Sequence, residues 1–525
     1  MVIGVLANVF KIMNNTSRTK NTIKNVGIGS ALQIFAFLLS FITRSIFLKL
    51  LGIEYLSIDG LFANILTILN FTELGIGSAI MYSLYKPIVE NNYVKIGALM
   101  NLYRRAYCYI ACTIFVIGIL VIPFLPYIVN DVPQVQEELS LLYFLFLLNT
   151  ICTYIYGYKK SLLIADQKNY VVLVIYQLVH TFQILFQIAI LFLTNDYIAF
   201  LLVMIGCTLL NNVVCTKYVD KKYSWLHEYL HNDITKEERK GIFSNIKSIA
   251  FYKFGAVVLN GTDNIIISTF IKTTLVGFCS NYMLVINSIT TVLNQGMSGL
   301  MASVGNYNVK ASNEDNEKIF SQLDFLMFTV LSFVSIGLCV FLNDFITIWL
   351  GAKYVLSNSF VFTIVLSFYV FTINTMPSTF RVAMGIFKKA RFYPFIAALM
   401  NVALSIILAK YFGLLGVFWA SIIVRLLCYT LVDTMLLYRY KFSGNIVSYF
   451  KSFILRIIFC IFTFVVIWIF DINTKDYTSF GFQVFFVKPV VFLLVFLLMY
   501  YLCWKNNENF EKIICILKSK LRLVR

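Results

Sequence analysis

Uninterrupted apolar runs, separated by short polar and basic stretches, make up most of the chain. A bilayer core about 30 Å thick takes roughly 20 helical residues per crossing, and most of these runs have about that length. A transmembrane β-barrel would instead alternate apolar and polar residues in segments of about ten. The pattern therefore predicts about fourteen transmembrane helices, near residues 26–51, 57–82, 106–129, 139–158, 170–193, 198–216, 248–271, 276–302, 322–342, 359–380, 393–409, 415–437, 454–470 and 484–504.

The composition agrees with this pattern and excludes several classes of protein. Hydrophobic residues make up 60% of the 525 residues and charged residues 13%. Soluble proteins contain about 45–50% hydrophobic residues and about 25% charged residues. A water-soluble enzyme, a disordered chain and a fibrous repeat are excluded on this ground. The sequence predicts an all-α integral membrane protein.

No pattern in the sequence indicates a metal, nucleotide or disulfide site. The eleven cysteines are scattered without a CxxC pair, and the only histidines are His180, His227 and His231. The GxxxxGKS/T motif that binds nucleotide phosphates does not occur. We therefore expect no cofactor, and a transport function would depend on H⁺ or Na⁺ coupling, the membrane potential or the cargo gradient.

The basic residues indicate the topology. The net charge of +18 would suggest a nucleic-acid partner in a soluble protein, but here the basic residues lie in short loops between apolar segments. Lysine and arginine hold such loops on the cytoplasmic side. With the N-terminus inside, 34 of the 43 basic residues, including Arg456, fall on the cytoplasmic side and 6 outside. Both termini are therefore expected in the cytoplasm, with membrane lipids and no nucleic acid as partners.

Two stretches indicate an internal repeat. Ser161–Tyr170 follows the fourth segment and Val382–Tyr393 follows the tenth, and each is a basic turn that closes on a tyrosine. A six-segment repeat keeps both halves in the same orientation, as two pseudo-symmetric six-helix lobes. The predicted organisation is a cytoplasmic N-terminal segment (1–25), an N-lobe (26–216), a cytoplasmic connector (217–247), a C-lobe (248–437), an additional helix pair (438–504) and a basic cytoplasmic tail (505–525).

A few ionisable residues lie inside apolar segments, where each costs several kcal/mol unless it faces a wet cavity or a partner. Arg44 and Asp59 flank a turn at similar depth, so they either fasten two helices together or form part of a cargo site. Arg425 is the strongest candidate for a central anion contact. The candidate cavity residues are Arg44, Asp59, Asp263 and Arg425. The candidates for ion coupling are Glu73 and Asp263, and the alternative for Glu73 is a hydrogen bond to a neighbouring helix.

A second basic group lies at the predicted cytoplasmic mouth and consists of Lys159, Lys160, Arg381, Lys388, Lys389 and Arg391. With the in-span arginines it suggests an anionic headgroup, because a guanidinium gives two parallel hydrogen bonds to phosphate. The competing interpretation is topological, since loops retained inside and contacts with anionic lipids need the same residues. The external loops are short and hold no cluster of acids, which disfavours a membrane glycosyltransferase or polymerase.

Several motifs resemble those of a known family. Leu50–Phe62 (LLGIEYLSIDGLF), Glu73–Ile80 (ELGIGSAI) and Tyr82–Pro87 (YSLYKP) are similar to the N-terminal pattern of Wzx-type polysaccharide flippases. Thr262–Ser268 (TDNIIIS) and Ser303–Asn306 (SVGN) resemble the second-half pattern. These flippases belong to the multidrug/oligosaccharidyl-lipid/polysaccharide (MOP) exporter superfamily, which also contains the MATE drug exporters.

The resemblance implies a transporter with two lobes around a cationic cavity. Its cargo would be an undecaprenyl-pyrophosphate-linked oligosaccharide, moved between leaflets of a bacterial cytoplasmic membrane for capsule, O-antigen or other surface polysaccharide. A polysaccharide polymerase and chain-length proteins would be its partners. The alternatives are a cation-coupled multidrug exporter, which expects an acidic cavity dominated by Glu73 and Asp263, and a membrane glycosyltransferase or polymerase.

Overall fold

The computed structural model describes residues 17–73, 76–129, 131, 133–166, 168–308, 312–386, 388–390, 392–475 and 486–511. The predicted N-terminal segment up to residue 16 and the basic tail from residue 512 lie outside these residues. The α-helices, numbered in chain order, are α1 Ser17–Leu50, α2 Ile53–Leu69, α3 Ile76–Val89, α4 Tyr93–Val121, α5 Leu125–Ile128, α6 Leu139–Tyr154, α7 Lys160–Ala165, α8 Asn169–Thr194, α9 Tyr197–Lys222, α10 Leu226–Tyr229, α11 Lys236–Gly261, α12 Asp263–Phe270, α13 Thr273–Asn308, α14 Asn313–Trp349, α15 Asn358–Ile373, α16 Thr375–Ala383, α17 Tyr393–Phe412, α18 Leu414–Arg425, α19 Leu431–Tyr440, α20 Ile446–Lys475 and α21 Lys488–Trp504.

The prediction of an all-α membrane protein is confirmed. Among the described residues, nine helices are long and apolar enough to cross a membrane, or ten if the bent pair α6 and α7 forms one span. These are α4 with α5, α8, α9, the first part of α13, α14, α15 with α16, α17, α18 with α19, and α20. The other predicted segments lie on α1, on α2 with α3, on α11 with α12, and on α21. The number of about fourteen spans stays a prediction.

Several predicted segments are interrupted within their length. The segment 57–82 contains a 3₁₀ turn at Asn70–Glu73, and the segment 415–437 contains a π-helical stretch at Leu426–Thr430. The chain bends by 42° between α6 and α7. Hydropathy could not indicate these breaks, because it reports only the length of an apolar segment. A break in a membrane helix depends on individual polar side chains that form hydrogen bonds with the interrupted backbone.

The bend between α6 and α7 shows this dependence. Tyr156 has a φ of 59°, a left-handed conformation that residues other than glycine rarely adopt. The side chain of Asn212 on α9 donates hydrogen bonds to the carbonyls of Cys152 and Ile155, each at 2.8 Å. Because the bilayer core offers no water, these bonds satisfy carbonyl groups that the interrupted helix leaves open.

The chain forms two compact units, which are described separately. The first, here called the N-terminal unit, extends to Ser280 and also contains Pro394–Gly413, which is nearly all of α17. The second, the C-terminal unit, contains Asn281–Tyr393 and the chain from Leu414 onward. These limits reflect packing within the chain; the lobes 26–216 and 248–437, defined by the sequence repeat, stay a prediction.

The predicted connector, residues 217–247, packs against the N-terminal unit. Leu226 of α10 is fully buried, in a cluster with Leu99 of α4. Lys95 donates a hydrogen bond to Glu238 at 2.6 Å, and this bond lowers the pKa of the glutamate carboxyl. The helices α9 and α11 also extend into the range from both sides, so the connector is a folded part of the unit and not a long loop.

We expect Gly97→Ala to destabilise the N-terminal unit by about 1–3 kcal/mol. A Cβ at Gly97 would lie 2.4 Å from the carbonyl oxygen of Tyr229, and a backbone atom cannot move aside as a flexible side chain can. The matched control is Gly206→Ala on α9, where an added Cβ meets no atom within 4 Å. Thermal unfolding of the purified protein compares the two variants, and equal melting temperatures would contradict the close packing of α4 on α10.

In the C-terminal unit, the additional helix pair α20 and α21 packs on α14. Arg456 of α20 forms a salt bridge with Asp324 in the first third of α14. Lys488 of α21 pairs with Asp344 near its end, at 2.6 Å. Aromatic rings from the three helices pack between the two charged contacts: Phe325, Phe328, Phe333, Phe341, Phe459, Phe492, Phe496 and Trp504. The pair is therefore attached to one helix of its unit at two separate positions, Asp324 and Asp344.

Candidate functional sites

Arg44 on α1 and Asp59 on α2 lie near each other in the N-terminal unit. Both side chains are half-buried and close enough to interact electrostatically. The Nη1 group of Arg44 donates a hydrogen bond to the Oγ of Ser280 on α13, at 3.2 Å. This bond engages one of the five N–H donors of the guanidinium. The sequence placed the two charges at similar depth, and the structure adds the hydroxyl on α13.

Glu73 lies at the break between α2 and α3 and accepts hydrogen bonds from two tyrosines. Tyr107 donates to one carboxylate oxygen at 2.7 Å, and Tyr154 donates to the other at 3.1 Å. The hydroxyl of Tyr103 lies 3.2 Å from that of Tyr107, and Ser161 on α7 donates to Tyr103 at 3.2 Å. A carboxylate among hydroxyl oxygens can hold a proton or a small cation. The residue predicted for ion coupling therefore ends a chain of hydroxyls that reaches α7.

Asp263 is the first residue of α12 and follows the break at Thr262. Its side chain is half-buried. A carboxylate in the first turn of a helix interacts favourably with the helix dipole, which gives the position of Asp263 a structural explanation. The side chain of Lys253, another in-span cation on α11, lies outside the described part of the chain.

Arg425 is the last residue of α18, directly before the π-helical stretch. Its guanidinium carbon lies 4.4 Å from the centroid of the Phe371 ring. This distance is that of a cation–π contact. Asp433, which an ideal helix would place on roughly the same face as Arg425, forms a salt bridge with Arg381 on α16. Asp433, the acidic residue near Arg425 in the sequence, is therefore paired with Arg381 of another helix.

Two of the predicted mouth residues lie in buried ion pairs and not on an open surface. Lys159 pairs with Asp220 at 2.6 Å in the N-terminal unit, and Arg381 pairs with Asp433 at 2.7 Å in the C-terminal unit. Both cations are only 4% exposed. Each cation follows the fourth segment of its predicted repeat, and each carboxylate lies on a helix that continues the sixth segment, Asp220 on α9 and Asp433 on α19. Because a buried charge needs its partner, these residues hold helices together within their units.

The other four mouth residues differ in their surroundings. Lys160 is half-buried and lines a cavity. Lys389 is exposed and lies over the ring of Tyr440, 4.4 Å from its centroid. The side chains of Lys388 and Arg391 lie outside the described residues. Within the part of the chain that the structure describes, no group of three or more His, Cys, Asp or Glu residues is placed to hold a metal ion.

The ion pair between Arg456 and Asp324 was not expected from the sequence. Asp324 is 1% exposed and Arg456 is 5% exposed. The topological count assigned Arg456 to the cytoplasmic side because it lies near the start of the segment 454–470. The helix α20 in fact begins at Ile446, so Arg456 lies well inside it. The one feature of the sequence that could have indicated this pair is Asp324 itself, an acidic residue just inside the apolar segment 322–342.

Comparison with known proteins finds matches among solved structures. No protein-family model and no curated protein matches the sequence. The inward closed conformation of the lipid II flippase MurJ has a TM-score of 0.62 at 15% sequence identity, over 91% of this chain and 98% of that one. An inward-facing multidrug resistance MATE family transporter of the MOP superfamily has a TM-score of 0.61 at 14% identity, over 82% and 98%. An outward-facing MATE structure has a TM-score of 0.54 at 14% identity, over 82% and 97%.

These likenesses concern the fold. At 14–15% identity, they show that the chain has the architecture shared by MATE transporters and the lipid II flippase.

Proposed function

We propose that this protein is a flippase for lipid-linked oligosaccharides. It moves undecaprenyl-pyrophosphate-linked repeat units from the inner to the outer leaflet of a bacterial cytoplasmic membrane by alternating access, with both termini in the cytoplasm. It supplies the synthesis of capsule, O-antigen or another surface polysaccharide, as Wzx-type proteins do. It acts as a transporter and not as an enzyme, with a polymerase and chain-length proteins as partners.

The extent of the fold likeness is the observation that carries this proposal. The lipid II flippase covers 91% of this chain, whereas the MATE transporters cover 82%. The two TM-scores, 0.62 and 0.61, do not separate the two kinds of protein. The additional matched length favours the lipid II flippase over the drug exporters as the guide to the kind of cargo.

The in-span arginines support an anionic cargo. Arg44 donates a hydrogen bond to the neutral hydroxyl of Ser280 and lies near Asp59, with which it forms no salt bridge among the described contacts. Arg425 is stacked on the ring of Phe371. Guanidinium groups recognise phosphate through paired hydrogen bonds, and stacking on an aromatic ring is compatible with that role. Both groups have the chemistry that a pyrophosphate cargo needs.

Depletion of the protein in its native host tests the proposal. We expect the lipid-linked oligosaccharide to accumulate in the inner leaflet and surface polysaccharide to be lost, while the upstream glycosyltransferases stay active. The measurement is the accessibility of the oligosaccharide to a lectin added to intact spheroplasts. Accumulation of a fully accessible lipid-linked product would contradict a role in translocation and would indicate a polymerase instead.

We expect Glu73→Gln to abolish coupling to a cation gradient while leaving exchange without a gradient intact. The substitution keeps the shape of the side chain and removes the charge that would hold H⁺ or Na⁺ between Tyr107 and Tyr154. Translocation into proteoliposomes is measured with and without an imposed gradient. The matched control is Glu90→Gln, because Glu90 lies in an exposed pair with Lys86. Gradient-driven translocation by Glu73→Gln at the wild-type rate would exclude Glu73 from coupling.

A cation-coupled multidrug exporter is the second candidate function. The carboxylate of Glu73 within its tyrosine cluster favours it, as does the fold likeness to MATE transporters. Drug susceptibility of a deletion strain separates the two functions. Hypersensitivity to cationic drugs with unchanged surface polysaccharide would favour the exporter and contradict the flippase.

A further inference from the structure

The N-terminal unit contains a cavity of about 220 Å³ between the end of α6 and the helices α7, α8 and α9, and its mixed lining includes several polar side chains. A cavity needs only about 10–15 Å³ to admit one water molecule, so this one has room for several waters or for a tetrahedral oxyanion. It lies within a single unit, and its lining includes neither Arg44 nor Glu73. The function proposed above therefore does not account for it.

Two adjacent lysines differ in their partners at this cavity. Lys159 is buried and is neutralised by Asp220. Lys160 lines the cavity and is half-buried, and among the described residues no carboxylate lies within ion-pair distance of it. A partly buried cation is unfavourable unless water, a hydrogen-bond acceptor or an anion stabilises it. Because Asp220 already pairs with Lys159, the charge of Lys160 has to be stabilised by molecules or ions inside the cavity.

The remaining lining supplies hydrogen-bond donors and, among its described residues, no acid. His180 stacks on Tyr176, with an interplanar angle of 11°. Its Nδ1 is buried with no hydrogen-bond partner in the described part of the chain. A neutral imidazole carries its proton on one nitrogen, and a buried N–H without an acceptor is rare. The proton therefore belongs on Nε2, which becomes a donor within the cavity, and the amide of Asn211 supplies two further N–H groups.

We propose that this cavity is a binding site for a phosphate-type anion. The ammonium group of Lys160 neutralises the anion, and Nε2 of His180 and the amide of Asn211 donate hydrogen bonds to its oxygens. The phosphate belongs either to a lipid headgroup or to free inorganic phosphate, and the chemistry of recognition is the same for both. The site is independent of the cargo, so it stands if the cargo proves to be a drug.

Thermal unfolding of the full chain in detergent tests the site with inorganic phosphate as the probe, against chloride at equal ionic strength. A ligand that binds only the folded state raises the melting temperature in a saturable way. We expect saturable stabilisation of the wild type, an apparent Kd at least tenfold higher for Lys160→Gln, and an unchanged Kd for Lys86→Gln, whose side chain is 83% exposed in the same unit. No saturable effect in the wild type, or an equal effect in Lys160→Gln, overturns the proposal.

A second measurement avoids substitutions that impair folding. The unsubstituted protein is acetylated with an amine-reactive reagent, and each lysine is followed by mass spectrometry. Phosphate is expected to slow modification of Lys160 several-fold while Lys86 reacts at its usual rate. Modification of Lys160 at a rate independent of phosphate overturns the site even if the melting temperature shifts.

A short-chain phosphatidic acid identifies the source of the phosphate. If a lipid headgroup is the natural ligand, this lipid protects Lys160 at lower concentration than inorganic phosphate does, since its chains add apolar contacts. If free phosphate is the ligand, the lipid protects less well than the inorganic anion. Either result supports the site. If neither probe protects Lys160, the proposal is contradicted.

Discussion

Replacing Arg44 or Arg425 with alanine is expected to lower translocation of undecaprenyl-pyrophosphate-linked oligosaccharide by about 10- to 100-fold. A hydrogen bond to a charged group contributes about 1.5–3 kcal/mol, and 1.36 kcal/mol corresponds to a factor of ten. The arginine-to-lysine variants keep the charge but lose the planar pair of donors, so they should fall between the wild type and alanine. The measurement is transfer of the lipid-linked oligosaccharide between leaflets of proteoliposomes.

Exposed cations on the same parts of the chain provide the controls. Lys49→Ala lies on α1 with Arg44, and Arg439→Ala lies on α19, close in sequence to Arg425; both side chains are exposed. These variants should translocate at the wild-type rate, because a solvated charge contributes little. Wild-type rates for both Arg44→Ala and Arg425→Ala would remove the cationic cavity from the mechanism, even if the protein proved to be a flippase.

Arg456→Met is expected to destabilise the C-terminal unit by about 3–5 kcal/mol, the usual result of removing one partner from a buried ion pair. Asp324 is 1% exposed, so its carboxylate would be left buried without the guanidinium. Methionine retains much of the apolar stem of arginine, which separates loss of charge from loss of packing against Phe325 and Phe328. Thermal unfolding in detergent measures the change.

Two further variants decide whether the charge is responsible. The double variant Asp324→Leu with Arg456→Met should recover most of the lost stability, because a buried pair replaced by apolar residues is often neutral. Lys451→Met, at an exposed position on the same helix, should be close to the wild type. A double variant no more stable than Arg456→Met would mean that packing, and not the unpaired carboxylate, causes the loss.

The sequence predicted the membrane helices well and the polar contacts poorly. Each predicted segment overlaps a described helix, because about 20 apolar residues specify a span without reference to the rest of the chain. The interruptions at Asn70–Glu73 and Leu426–Thr430 were not predicted. Neither were the two tyrosine partners of Glu73, which are 34 and 81 residues away in sequence.

The amino-acid sequence by itself determined that this protein is a helical membrane protein with few charges inside its spans. A membrane helix satisfies its own backbone hydrogen bonds, so its existence is a local property of the chain. The tertiary structure alone decided what each charge does. Lys159 and Lys160 are neighbours of the same residue type, yet one reaches an aspartate 61 residues away and the other lines a cavity. The partner of a side chain depends on which helices pack together, and that packing is not encoded in any single segment.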